Sequence, residues 1–238
     1  MENEVWDFME ETRHRLRLPQ NQMSEAFINN AVLALSGGFQ DAYTYNTREG
    51  VFSNAQTGNV VLMSQSLMSG EWMTMLHYLI PVIAFALGVL VTEQIQHRYK
   101  YAKRIHWRQT ILLIEILVLF VVGFIPEEYN IAATVLVSFT CAMQVQGFRK
   151  VGGYAYASTM CIGNLRSGVD ALSVYMREKK PEQLKKSIHY FAIILMFALG
   201  AGIGGNLSAK YGISVIWMCC LLLMFSYFLM SLEKLKQI

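Results

Sequence analysis

The chain has 238 residues, 54% of them apolar and only 16% charged, with a mean hydropathy of +0.32 and a net charge of +3. Apolar runs on that scale are accounted for by a membrane, and they leave no stretch over for a separate soluble domain. The small positive excess excludes nucleic acid as a partner; the lysines and arginines gather in loops beside apolar segments, where they report orientation.

In chain order, residues 1–23 begin acidic (Glu2, Glu4, Asp7, Glu10, Glu11) and turn basic at Arg13, Arg15 and Arg17. They lack the apolar run and small-residue cleavage site of a secretory signal, so a retained cytoplasmic tail is expected. Residues 26–45 form a first span, interrupted by Gly37-Gly38 and carrying Gln40 and Asp41 near its end. Residues 51–69 do not resemble a span: Asn54, Gln56, Thr57, Asn59 and Gln65 surround Gly58, and lipid cannot hydrogen-bond such groups, so the segment must be enclosed by protein. A clear span at 74–92 follows, then a basic polar loop at 93–109, and a strongly apolar run at 111–125 that stops at Pro126-Glu127-Glu128.

The second half restarts at Asn130 with a span at 131–148, an odd stretch at 154–176, a basic loop at 177–186 holding Arg177, Lys179, Lys180, Lys185 and Lys186, and spans at 188–208 and 213–232. The order of elements is that of the first half. Gly58-Asn59 recurs 105 positions later as Gly163-Asn164, Phe39-Gln40 aligns with Met143-Gln144, and Phe85-Ala86-Leu87-Gly88 aligns with Phe197-Ala198-Leu199-Gly200. A duplicated membrane unit is the reading. Its bounds are 24–128 and 129–232, with short cytoplasmic tails at 1–23 and 233–238.

Charge decides the expected topology. If all eight segments cross, the loops at 93–109 and 177–186 fall on opposite sides and one of them breaks the positive-inside rule. If the two odd stretches dip in and return, every basic loop is cytoplasmic and Glu71, Glu127 and Glu128 face outward, with Arg48 as the one exception. Three full spans per half then turn the second half upside down. The expected fold is an all-α integral membrane protein of two repeats, each with three transmembrane helices plus one broken or re-entrant Gly-Asn helix, the second repeat inverted. Both termini are then cytoplasmic.

The groups that could carry function are those in or beside the odd stretches. Thr57 or Asn59, and Asn164, are placed to cap helices that begin after Gly58 and Gly163, aiming helix N-termini at the bilayer centre, an arrangement suited to an anionic or polar small solute. The plainer alternative is that glycine allows tight packing and asparagine caps a broken helix. Asn54, Gln40 and Gln144 supply further polar groups at similar depth. Asp41 is a substrate or proton site, or else an interfacial residue at a span end. Arg166 and Asp170, four apart, can pair with each other or line the pathway or its cytoplasmic mouth. Glu115 is expected at the interface or hydrogen-bonded to a neighbouring helix. The glycines from Gly200 to Gly205, with Ala84 and Gly88, read as close helix-packing faces. Cys141, Cys161, Cys219 and Cys220 lie in apolar segments without a CxxC or a paired histidine, so they read as buried thiols rather than disulfides or metal ligands. No HExxH, GxSxG or Walker loop is present, so neither catalysis, a metal nor a cofactor is expected.

The expected function is a small-solute channel or secondary transporter with a midplane site between the repeats; the alternative is a non-transporting scaffold or regulator of a partner complex. The expected partners are the lipid bilayer and a small solute, with association of identical copies left open.

Gly37-Gly38-Phe39-Gln40-Asp41-Ala42, followed by Val51-Phe52, Thr57-Gly58-Asn59 and Phe85-Ala86-Leu87-Gly88, resembles the signature of the bacterial YoaK family, membrane proteins grouped as a domain of unknown function (DUF1275). The resemblance covers about residues 26–232 and implies a multi-pass protein of the bacterial inner or plasma membrane with about six spans. The second half departs from the family pattern, with Cys161-Ile162-Gly163-Asn164 in place of a second Thr-Gly and Gln146 where asparagine is common.

Overall fold

The structure, a computed structural model, describes residues 23–99, 106–151 and 154–235. The expected N-terminal tail up to residue 22, the loop residues Lys100, Lys103 and Arg104, and Lys236 lie outside the described residues. Among the described residues eight α-helices follow one another: α1 (Phe27–Thr47), α2 (Gln56–Met68), α3 (Trp72–Tyr99), α4 (Trp107–Val122), α5 (Asn130–Gly147), α6 (Cys161–Glu178), α7 (Pro181–Tyr211) and α8 (Trp217–Leu235). Between α5 and α6 the chain forms a small antiparallel pair, β1 (Lys150–Val151) with β2 (Tyr154–Ala155).

Contacts between helices fix their directions. Gln40 on α1 meets Glu115 on α4, while Arg48 meets Val122, so α1 and α4 run the same way. Phe27 packs on His189 and Asn46 bonds to Gly205, so α7 runs with them. Gln40 meets Cys141 and Arg48 meets Asn130, so α5 runs the opposite way. Gly88 abuts Phe139 and Glu93 bonds to Gln146, which puts α3 parallel to α5. Asn29 bonds to Ser226 and Ser36 to Cys219, so α8 joins that second set.

Close crossings are built on glycine. A Cβ on Gly38 would lie 2.0 Å from the Phe197 carbonyl oxygen, and one on Gly200 would lie 2.0 Å from that of Leu35, so α1 and α7 touch backbone to backbone. The crossing of α3 on α5 is of the same kind, with a Gly88 Cβ falling 2.2 Å from the Phe139 carbonyl oxygen. Small residues permit such approach where helices gain little hydrophobic drive from burial. The main buried apolar cluster joins α1, α4, α5 and α8 through residues such as Leu33, Tyr43, Leu119, Val137 and Leu223.

Much of the perimeter is apolar and exposed. Leu87 and Leu90 on α3, Leu117 and Phe120 on α4, Leu195 and Leu199 on α7, and Leu221 and Phe228 on α8 all face outward. Among the described residues, two stretches are long and apolar enough to cross a membrane, Trp72–Tyr99 and Pro181–Leu232, with mean hydropathy 2.1 and 2.3 over their most apolar 18 residues, only 17% and 39% of which are buried. Helices this apolar yet this little buried need a non-aqueous surround.

Three sequence expectations about loops change. The basic loop expected at 177–186 is only Lys179-Lys180: Lys179 takes a left-handed φ of 55° that ends α6, and Pro181 starts α7, its fixed φ suiting the first helical position. The loop expected from residue 93 is shortened too, because α3 continues to Tyr99 and α4 starts at Trp107, where His106 and Gln109 form a capping box. Arg48 is not a loop charge. Its guanidinium is fully buried, donating to the carbonyls of Val122 (3.3 Å) and Ile125 (3.0 Å), to Asn130 Oδ1 (2.9 Å) and to the Tyr43 hydroxyl (2.9 Å). It therefore closes the C-terminal end of α4, whose last carbonyls have no helical partner, and ties α1 and α5 to it.

Arg48→Met takes the guanidinium donors from the Ile125 carbonyl, Asn130 Oδ1 and the Tyr43 hydroxyl at the junction of α1, α4 and α5, and is expected to cost about 3 kcal/mol or more. Thermal unfolding of the detergent-purified protein measures it. A midpoint equal to wild type would remove Arg48 from this role, and Arg48→Lys should restore only part of the loss because an ammonium cannot fork across several acceptors.

Candidate functional site

The site is built where α2 and α6 begin. Both are shorter than the long helices: the 13 residues of α2 rise about 20 Å and the 18 of α6 about 27 Å, against a hydrocarbon core of about 30 Å. Each is preceded by non-helical backbone, and each uses an asparagine to satisfy it. Asn59 Nδ2 donates to the Phe52 carbonyl (2.7 Å) and Asn59 Oδ1 accepts from the Phe52 amide (3.1 Å). Asn164 Nδ2 donates to the Ala157 carbonyl (2.7 Å) and Asn164 Oδ1 accepts from the Ala157 amide (3.4 Å). In both cases the asparagine reaches back seven residues and replaces the missing strand partner of one extended residue.

This corrects the capping expectation. The N-cap positions are Ala55 and Met160, with no side-chain cap; Asn59 and Asn164 are the fourth residues of their helices, buried and directed at their own segments. Their amides are committed to the backbone. Gly58 lies against the Phe52 ring, whereas nothing approaches Gly163.

A cavity of about 900 Å³ lies at the start of both short helices. Residues 52–57 wall one side and 159–162 another, with Asp41, Tyr45 and Asn46 from α1, Phe85 and Ala86 from α3, and Phe197 and Ala201 from α7 completing it. Asp41 is the only ionisable side chain in this wall apart from the Tyr45 phenol and the Cys161 thiol. Its Oδ1 accepts from the Asn54 amide (2.7 Å) and from Ser53 Oγ (3.1 Å). The carboxylate thus sits at the N-terminal end of α2, where unpaired amides and the helix dipole favour negative charge.

Of the other sequence candidates, Asn54 and Thr57 line the cavity, and Asn54 Nδ2 donates to the Gly37 carbonyl (3.2 Å). Gln144 stands behind the wall, donating to Ser158 Oγ (3.1 Å) and the Leu33 carbonyl (3.2 Å). Gln40 does not reach the cavity. Its amide donates to Glu115 Oε1 (3.1 Å) and Ser36 Oγ (3.1 Å) and accepts from the Cys141 thiol (2.9 Å). Glu115 is thus wholly buried between α1, α4 and α5 and not at an interface. Arg166 and Asp170 are exposed on α6, outside the wall of this cavity, and no ion pair joins them. The cavity wall has one carboxylate and no Lys, Arg or His, which offers nothing to the anionic half of the expected anionic or polar solute.

Sequence reasoning passed over Thr159, Phe52, Phe85 and Phe197. Thr159 was legible in principle, since it stands 105 positions after Asn54, the spacing that relates the two Gly-Asn pairs.

Asn59→Ala orphans a buried amide and a buried carbonyl and is expected to lower stability by about 2 kcal/mol. Asn164→Ala, where one of the two bonds is long, should lower it less. Unfolding midpoints of the two variants in detergent test this, and equal or absent losses would contradict the clamp.

Over residues 30–229 the chain matches the family described as "Protein of unknown function (DUF1275)". It is 24% identical over 218 residues to the "UPF0700 transmembrane protein YoaK" of Bacillus subtilis (strain 168), an alignment covering 87% of this chain and 93% of that protein. No solved structure matches it significantly. With its apolar perimeter and the family match over most of its length, the chain is a helical membrane protein and belongs to the DUF1275 family.

Proposed function

We propose that this protein is a small-solute transporter or channel, not an enzyme, whose solute occupies the cavity at the start of the two short helices. The observation that carries this reading is that cavity: one space of about 900 Å³ walled by both Gly-Asn segments and by helices of both sequence halves. Its size suits a small organic molecule. Aromatic and aliphatic side chains with a single carboxylate favour a solute with an apolar body and a neutral or cationic polar group.

The membrane arrangement in this reading is a pair of inverted repeats with re-entrant α2 and α6, in the bacterial cell membrane, both termini cytoplasmic. Helix directions support it. The end of α1 and the start of α3 are neighbours, His77 bonding to the Glu49 carbonyl (3.3 Å), so residues 48–71 leave and return at one end. At the other end α5 finishes and α7 starts, Lys186 lying over the Tyr154 ring. The packing supports the repeat as well: Gly200 meets Leu35 as Gly88 meets Phe139, and both residues of one pair correspond to those of the other in the sequence alignment of the halves. Charge supports the orientation. Arg98, Arg108, Arg149, Lys150, Lys180, Lys185 and Lys186 cluster at one end and Glu49, Glu71, Glu127 and Glu128 at the other, where Lys210 and the internally bonded Arg48 are the exceptions.

Single cysteines at Ser69 and Lys180, in a background without the four native ones, separate the topologies. Labelling from opposite sides of the membrane is expected, whereas labelling from the same side would mean that α2 and α6 cross. For function, purified protein in liposomes is assayed with amines, neutral solutes and carboxylates, beside Ala86→Trp, which fills the cavity from an exposed position. Flux of an amine or neutral solute that Ala86→Trp reduces at least about tenfold is expected. No flux above empty liposomes for any class, or flux indifferent to Ala86→Trp, would defeat the proposal and leave the scaffold role.

A further inference from the structure

Three buried oxygens beside the cavity have no hydrogen-bond partner: Asn54 Oδ1, Thr159 Oγ1 and Gln144 Oε1. All three residues are more than nine-tenths buried. Their side chains meet around Gly37 through other atoms. Asn54 Nδ2 donates to its carbonyl at 3.2 Å, and a Cβ on Gly37 would lie 2.4 Å from Thr159 Cγ2 and 3.7 Å from Gln144 Nε2. Asp41 stands one turn further along the same helix face and is held to Asn54 through its backbone amide. Asp41, Asn54 and Thr159 all line the same cavity.

A buried acceptor left without a donor costs on the order of 1–3 kcal/mol, and native proteins rarely keep one unless water or an ion fills the need. Here three lie in one neighbourhood beside a carboxylate. The amide orientations are not free to change this, because Asn54 Nδ2 and Gln144 Nε2 are each fixed by carbonyl acceptors. What the site offers is therefore hard oxygen: one negative charge and neutral side-chain oxygens, with no nearby cation.

We propose that the cavity binds one monovalent inorganic cation, sodium, through the Asp41 carboxylate, Asn54 Oδ1 and Thr159 Oγ1, with Gln144 Oε1 behind them. Calcium and magnesium draw on more carboxylates, solvent or phosphate than this pocket supplies. Zinc, copper and nickel favour nitrogen or sulfur donors, and no group of three His, Cys, Asp or Glu is gathered among the described residues. One carboxylate balances one monovalent charge. The ligands come from both Gly-Asn segments, so the cation links them. Binding stands by itself; its role as the coupling ion rests on the transporter reading.

The test is thermal unfolding of the full-length detergent-purified protein in sodium, potassium or choline chloride at equal ionic strength. The expected result is a saturable rise in midpoint of about 5 °C with sodium over choline, larger than that with potassium. Thr159→Val, which keeps shape and removes Oγ1, should raise the sodium concentration for half effect at least about tenfold, a loss of about 1.4 kcal/mol. Asp41→Asn should abolish the response, and Arg166→Gln, outside the cavity wall, should leave it intact. If Asp41→Asn does not fold, Thr159→Val decides. Equal midpoints in all three salts would mean that the orphan oxygens hold water only and would overturn the site, as would a full sodium response in Thr159→Val or a preference for potassium. A sodium response without any solute flux would leave this site standing and remove the transporter reading.

Discussion

The constraint on which this structure depends is that backbone polar groups inside a membrane protein must find their partners within the protein. The helices satisfy most of them automatically. The difficulty is confined to residues 51–55 and 156–160, where the chain is not helical and yet lies against the middle of the helix assembly. Asn59 and Asn164 resolve it by the same two-bond clamp on a residue seven positions earlier. A side-chain amide carries one donor and one acceptor in the geometry of a peptide group, and so can stand in for a neighbouring strand. Serine or threonine could supply only one of the two at that reach. The Gly-Asn pairs are therefore an architectural device first, and the cavity is the space the device holds open.

Glycine sets how closely the long helices approach around that space. Gly38 and Gly200 bring α1 and α7 into backbone contact, and Gly88 does so for α3 on α5. Lipid gives these helices little reason to associate by burial alone, so dispersion over close surfaces, and polar ties such as Arg48 and the Gln40–Glu115 pair, hold the assembly. Both ties are buried and link helices whose sequences are more than 70 residues apart. Each fixes the position of α1, which carries Asp41 and Gly37 to the cavity.

What was legible in the sequence followed from periodicity and composition. The apolar runs gave the long helices, and the repeated Gly-Asn pair marked the two segments that behave differently. The glycines at 88 and 200 were legible as packing positions because nothing else explains them in apolar runs. Other features depend on partners that local sequence does not name. Arg48 reads as a loop cation until the ends of α4 and α5 are known to converge on it. The helix at Gln56 begins three residues before Asn59 because Asp41, 13 positions before Asn54, accepts the Asn54 amide. Glu115 reads as interfacial or hydrogen-bonded to a neighbour; the second holds, but no pattern names Gln40, 75 residues away, as the partner. The loop at 177–186 dissolved for a local reason, since Pro181 starts a helix in a sequence whose charge suggests a turn.

The two sequence halves share their backbone devices but not their chemistry, and the difference bears on function. Position 41 is Asp and its counterpart at 145 is Val; position 54 is Asn and its counterpart is Thr159. Charge thus enters the cavity from one half only, while neutral oxygens come from both. On the outside the asymmetry is reversed: α6 carries Arg166 and Asp170 where α2 has Val61 and Gln65. A scaffold that used its polar stretches only for packing would need the clamps, the glycines and Arg48, and each of those is satisfied by the surrounding protein. It would use the Asp41 carboxylate too, which holds the Asn54 amide and the Ser53 hydroxyl, but not the three unpaired oxygens beside the cavity. A buried oxygen without a donor lowers stability, and the cation site proposed above gives these three a partner.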